Sequence, residues 1–165
     1  MDVTTRDFGV IQIEDDSVYS FPQGVYGFED ARSFAVFMHE EAGVSFVYLQ
    51  AAHSEQPCFL VFSPWDVIPD YDPHMAEEDL RFFGVDSEKD LIFLLIATVP
   101  ADDIRKLSVN AKSPVVLNPP GMIGRQVILL NEDYAVRCRP FLGPGDAAAA
   151  SERPAGKAVS AREEA

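Results

Sequence analysis

Basic residues are scarce in this chain: 13 Lys and Arg stand against 27 Asp and Glu, a formal charge of −14. Residues 142–165 hold four of the acids and three of the bases, so the first 141 residues carry 23 against 10, a net of −13. Direct nucleic-acid binding rests on phosphate neutralisation by Lys and Arg, and this balance disfavours it. An acidic body suits a basic partner, or serves solubility alone. Cysteine is nearly missing. Cys58 and Cys138 each lie in a stretch that reads as a strand, and they read as two small buried thiols, with a disulfide or a metal pair as the alternative. No CxxC spacing supports a structural zinc site. Long apolar runs are also lacking, none reaching the ~18–20 residues that cross a bilayer. Met1 to Arg6 is polar and shows no leader pattern of basic residues followed by an apolar stretch. The expected location is the cytoplasm.

Catalytic signatures are missing as well. The chain has no GxSxG elbow, HExxH, P-loop or helix-opening GxGxxG. Gly143-Pro144-Gly145-Asp146 has the glycines of a phosphate loop but follows no strand-to-helix pattern. His39, His53 and His74 sit in separate segments without evident partners. One oxygen-rich group invites a metal test: Asp70, Asp72 and His74 alternate, and Glu77 and Glu78 follow. Pro73 is expected to start a helix, which breaks that alternation, and the spacing is not that of an EF-hand. A solvated acidic helix start is therefore the preferred reading, and the expectation is no enzyme, no metal and no cofactor.

What the sequence does have is apolar and aromatic mass, 47% hydrophobic with twelve Phe and five Tyr, enough for one folded domain. It is arranged in short β-type runs: Phe8–Ile13, Val18–Phe21, Ser33–His39, Val44–Gln50, Cys58–Ser63, Leu91–Val99, Pro114–Asn118, Gln126–Leu130 and Tyr134–Arg139. In Val44–Gln50, alternation puts Val44, Phe46 and Tyr48 on one face and Ser45, Val47 and Leu49 on the other. Both faces are apolar, which predicts a strand buried on both sides. Glu40-Glu41-Ala42-Gly43 and Asn131-Glu132-Asp133 read as hairpin closures, and Asn118-Pro119-Pro120-Gly121 as a break.

Helical signal is sparse. The best candidate runs from about Pro73 to Phe83, with Asp72 as cap, Ala76, Leu80 and Phe83 as an apolar stripe and Gly84 as its end. A second short turn is expected over Ala101–Lys106. After Phe141 large apolar residues almost vanish, and residues 142–165 read as a disordered tail. The expected fold is thus all-β dominated: a small antiparallel β-barrel or sandwich over residues 1–141 with one or two short helices, followed by that tail.

The motifs, in order, resemble a known family. Phe21-Pro22-Gln23-Gly24-Val25-Tyr26-Gly27-Phe28-Glu29 is similar to the "FPxGLPGFE" signature near the start of FliW proteins, and Leu49-Gln50-Ala51 to their "LQS". The stretch Phe59 to Tyr71, closing on Ile68-Pro69-Asp70-Tyr71, resembles the family's "F…PDY" segment. Val109 to Asn118 resembles "vNLxAPiviN", and Gly124 to Leu129 with Tyr134 to Arg137 resembles "GxQvIL…YxxR". Departures are Val25-Tyr26 for the usual Leu-Pro, Ala111 for leucine, Ser113 for alanine and Phe141 for leucine. The resemblance implies a compact β-barrel-like protein that binds flagellin and, alternatively, the translational regulator CsrA. In that scheme free protein relieves CsrA's repression of flagellin mRNA through an allosteric contact. The acidic charge leaves RNA mimicry open.

Two contact surfaces are candidates on the residues themselves. The first gathers Asp66, Asp70, Asp72, Glu77, Glu78 and Asp79 beside Trp65 and Tyr71, because aromatic anchors ringed by charge suit interfaces. The second is the loop Phe21–Glu29, with Gly27, Phe28 and Glu29 at its end. It reads equally as a rigid structural turn or a recognition loop. The competing functional class is a barrel, such as a hydrolase, that binds a small ligand or a divalent metal, centred on Asp70, Asp72 and His74.

Overall fold

The longest ladder in the molecule forms where the alternation is clearest. In the computed structural model, β4 (Ser33–Glu41) and β5 (Val44–Ala51) pair antiparallel from Phe34↔Ala51 to Glu41↔Val44. Ala42 and Gly43 close the hairpin with φ of 53° and 79°, the two positive angles that a tight two-residue turn demands. The structure describes residues 1–141; the tail expected over 142–165 lies outside the described residues.

The remaining strands are β1 (Asp2–Thr4), β2 (Val10–Gln12), β3 (Val18–Ser20), β6 (Cys58–Phe62), β7 (Ile92–Thr98), β8 (Ser108–Val109), β9 (Val115–Asn118) and β10 (Ile123–Gln126). Hydrogen-bonded order runs β6-β5-β4-β3-β10-β9-β7-β8, and β6 also pairs with β7. The pairings thus trace a barrel-like circuit of seven strands. Its seam is thin: β10 meets β3 through one parallel residue pair, Ile123↔Ser20, and β6 meets β7 through two. The strands β1 and β2 pair separately as a small flap. Two α-helices, α1 (Pro64–Val67) and α2 (Glu77–Phe83), and short 3-10 turns complete the elements among the described residues. One of those turns, Ile104–Lys106, falls within the expected Ala101–Lys106 turn. No helix among the described residues is long and apolar enough to cross a membrane.

Alternation sorts the strand residues into two cores. One face of the circuit packs Phe21, Phe34, Leu49, Phe59, Val61 and Leu117 into an interior cluster. The other face carries Tyr48, Leu60, Leu95 and Val116, covered by Tyr71, Met75, Phe83, Leu107 and Val127. Within β5, Leu49 and Tyr48 therefore point to opposite cores, as the two apolar faces of the run predicted. The first residues, Val44 and Ser45, are exposed, because the hairpin tip projects past the core. The flap adds a third small cluster, Val3 and Ile13 on Ala35.

Three local expectations are revised. The strand expected over Gln126–Leu130 ends at Gln126. Beyond it the backbone bonds to non-strand partners, Val127 to Pro114 O, Leu129 to Lys112 O and Leu130 to His74 O. The run Tyr134–Arg139 makes one bridge, Val109↔Cys138, rather than a ladder. The helix expected from Pro73 begins at Glu77, with Ala76 rather than Asp72 in the cap position.

Gly124 is where strand β10 approaches the interior most closely. A Cβ there would stand 2.5 Å from Cζ of Phe21, a ring with no solvent exposure that packs 4.9 Å from Phe34. Overpacking of this kind costs about 1–3 kcal/mol. Gly124→Ala is expected to lower unfolding stability by that amount in urea titrations. Gly121→Ala, whose Cβ would meet only Ile123 at 3.6 Å, should stay within ~0.5 kcal/mol of wild type.

Candidate functional site

Tyr71 fastens the acidic segment to the sheet. It is 3% exposed, and its hydroxyl donates to Ala111 O at 2.8 Å. Its ring stacks on Tyr134 at 4.7 Å and 12°. Burial, and then the neighbouring Tyr134 hydroxyl, push the Tyr71 hydroxyl well above the ordinary tyrosine range, so it remains a neutral donor. The backbone that follows is pinned in extended form. Asp72 N–H donates to Tyr134 Oη at 2.6 Å, and His74 N–H to Asn131 Oδ1 at 2.8 Å. Asn131 Nδ2 donates back to Asp72 O at 2.9 Å, and Met75 N–H to Glu88 Oε2 at 2.8 Å. These bonds satisfy backbone groups in a non-helical geometry and delay the helix start to Glu77. Helix α2 then carries Glu77, Glu78 and Asp79 in its first turn. It ends in a left-handed Gly84 (φ 69°), with Val85 N–H bonded to Leu80 O.

Helix α1 presents the indole. Pro64 occupies its first turn, and Trp65 projects onto the surface, 47% exposed. The ring is held nonetheless. Nε1 donates to Tyr71 O at 2.9 Å, and the indole stands edge-on to Tyr71 at 6.0 Å and Phe93 at 6.5 Å. Trp65, Tyr71, Asp72, Pro73 and His74 form one wall of an open cleft of about 520 Å³. Glu88, Lys89, Leu91 and Phe93 form the other.

Of the first candidate surface, Trp65, Asp66, Asp70, Asp72, Glu77 and Glu78 are exposed. Trp65 and Asp72 share the cleft; Asp66, Asp70, Glu77 and Glu78 lie outside its lining. Tyr71 and Asp79 are turned inward. Asp79 is 9% exposed and pairs with Arg125 at 3.3 Å, and that guanidinium lies 4.5 Å over the Phe82 ring. Burial raises the Asp79 pKa, Arg125 opposes the rise, and Glu78 adds to it. His74 Nε2 faces Asp72 Oδ2 at 3.3 Å. Among the described residues, no three His, Cys, Asp or Glu side chains are grouped closely enough to hold a metal ion.

The second candidate surface is a braced loop. Gly24 adopts φ +65°, and a Cβ there would sit 2.6 Å from Glu29 Cα, so the turn closes only on glycine. Val25 bridges Phe28, and Phe28 stands edge-on to Phe59 at 5.4 Å. The Glu29 carboxylate accepts from Gly27 N–H at 2.9 Å, which draws its pKa below the usual range. Tyr26 N–H donates to Gln126 Oε1 at 3.0 Å, while Tyr26 itself is 52% exposed. Buried anchors thus carry an exposed crest of Tyr26, Gly27 and Glu29. Sequence reasoning missed Gln126, which braces this loop, and Glu88, Lys89, Leu91 and Phe93, which complete the cleft. Only the alternation of Leu91 and Phe93 hinted that both face one side.

Arg125→Met keeps an apolar stem of similar length but strips the charged partner from Asp79 and the guanidinium from Phe82. The Asp79 pKa in the fold already exceeds its unfolded value, so its charged form costs stability as pH rises through that interval. Without Arg125 the interval widens. Chemical denaturation should show a loss of about 1–3 kcal/mol at pH 7 and a smaller one near pH 4. A loss independent of pH contradicts the pairing.

The model of the family described as FliW protein matches residues 2–140. The flagellar assembly factor FliW of Natranaerobius thermophilus is 31% identical over 137 residues, covering 83% of this chain and 90% of that protein. That of Leptospira interrogans is 33% identical over 141 residues, covering 86% and 93%. A crystal structure of the flagellar assembly factor FliW is similar with a TM-score of 0.76 at 26% identity, over 87% of this chain and 99% of that one. With family match, relatives and fold in agreement over the same residues, the chain belongs to the FliW family.

Proposed function

We propose that the protein is a regulatory binding factor of flagellar assembly, acting in the cytoplasm by protein contact and not by catalysis. It binds the translational regulator CsrA and relieves repression of flagellin mRNA translation, and it takes flagellin, in a chaperone-like manner, as the alternative partner. The observation that carries this reading is the FliW match over residues 2–140, supported by relatives that are flagellar assembly factors.

The surface chemistry fits. Residues 64–90 contain nine Asp and Glu against two Lys and Arg, a net of −7 within the −14 of the whole chain. Seven of those acids, Asp66, Asp70, Asp72, Glu77, Glu78, Asp86 and Asp90, are exposed, and Asp72 lines the cleft with Trp65. Such a face attracts a basic RNA-binding protein and repels RNA itself. The barrel interior, filled by Phe21, Phe34 and Phe59, leaves the competing ligand-binding reading only surface sites.

Titration of the purified protein against CsrA, and separately against flagellin, tests the proposal. Saturable 1:1 binding to each is expected, with CsrA affinity falling as salt rises. Reversing Glu77 and Glu78 to Lys should weaken CsrA binding about tenfold while the thermal unfolding midpoint stays near wild type. Failure to bind either partner contradicts the proposal.

A further inference from the structure

The cleft beside Trp65 has a chemistry of its own. Its lining joins apolar and aromatic side chains, Leu91 and Phe93, to the acids Asp72 and Glu88. The Asp72 side chain is 79% exposed, with one oxygen, Oδ2, facing His74 Nε2 at 3.3 Å. Glu88 accepts from Met75 N–H through one oxygen, Oε2. The same cleft is lined by an indole that is half exposed yet fixed by a hydrogen bond and two edge contacts. A fixed, exposed indole face bordered by carboxylates is a receptor for a cation, above all for a planar guanidinium, which stacks on the ring while its N–H groups reach the acids. The apolar lining adds room for a neighbouring aliphatic side chain.

We infer that this cleft is the docking site for an arginine-bearing, extended segment of a protein partner, with Trp65 as the stacking platform and Asp72 and Glu88 as the carboxylate acceptors. Charge complementarity selects this occupant: the cleft lies within a stretch of net charge −7, which disfavours an acidic segment or a nucleic acid. Lys89 also lines the cleft and repels a cation placed beside it, and His74 faces Asp72, so an entering guanidinium competes with the imidazole for that carboxylate. The inference deepens the proposed function and rests on the reading that this chain works by protein contact.

Trp65 is the chain's single tryptophan, so its emission, excited selectively over the five tyrosines, reports this site. The probe is a blocked Gly-Arg-Leu-Arg-Gly peptide, titrated against its counterpart with citrulline in place of both arginines. The arginine peptide should change Trp65 emission saturably, and the citrulline peptide should bind at least about tenfold more weakly. Asp72→Asn and Glu88→Gln, which keep a side-chain oxygen and so the local fold, should each weaken the arginine peptide about three- to tenfold. Glu41→Gln, exposed at the tip of the β4–β5 hairpin, should leave it unchanged. Equal binding of both peptides, no change in emission, or affinities unmoved by Asp72→Asn and Glu88→Gln overturns the inference. The same two variants titrated against CsrA separate the readings. CsrA that binds wild type and variants alike removes the cleft while the proposed function stands. Arginine peptide that binds as described, with neither CsrA nor flagellin bound, keeps the cleft and removes those partners.

Discussion

A phenol buried in an apolar core needs an acceptor, and Tyr71 finds one 40 residues away in sequence, in Ala111 O. That bond, with the stack on Tyr134, ties the acidic strap of residues 63–75 to the outer face of the sheet. The chain around it follows. The Tyr71 carbonyl receives the Trp65 indole, Tyr134 receives the Asp72 amide, and Asn131 closes the strap from both sides. An exposed indole on an untethered loop would lose its orientation to side-chain entropy. Here the surface chemistry is presented by buried groups.

The barrel-like circuit serves the same end by being solid. Both faces of its central strands are buried, the inner by Phe21, Phe34 and Phe59, the outer by the strap and α2. A sheet committed to packing on both sides has little room left for an internal ligand. The outer covering exposes the strap with its carboxylates, and the Tyr26–Glu29 crest braced by Gln126. The acidic charge is then a property of the surface and its selectivity, separate from the apolar packing that holds the fold.

How much of this was legible in the sequence follows from the range of the forces involved. The alternation in Val44–Gln50, the Ala42-Gly43 turn and the stop at Gly84 are written in neighbouring residues, and each stands in the structure. The FliW motifs placed the family. The helix start was misplaced because Asp72-Pro73 has good capping chemistry, while the bonds that override it come from Glu88, Leu130, Asn131 and Tyr134. Asp79 looked like a surface acid for a similar reason: its partner, Arg125, lies far along the chain on strand β10. The Trp65 side of the cleft could be read as an aromatic among acids. Its other wall, Glu88 to Phe93, is brought there only by the fold, and no local pattern announces it.

We propose that the strap, with Glu88, Lys89, Leu91 and Phe93 that line the cleft beside it, forms the surface through which this family member meets a regulatory partner. Amide hydrogen exchange of the chain alone and saturated with CsrA tests that claim most directly. The account predicts slowed exchange concentrated in residues 64–79 and 88–93, with the Phe21–Glu29 loop and the flap strands unchanged. Protection confined to the Phe21–Glu29 loop, or to any surface that excludes Trp65 and Asp72, would contradict it.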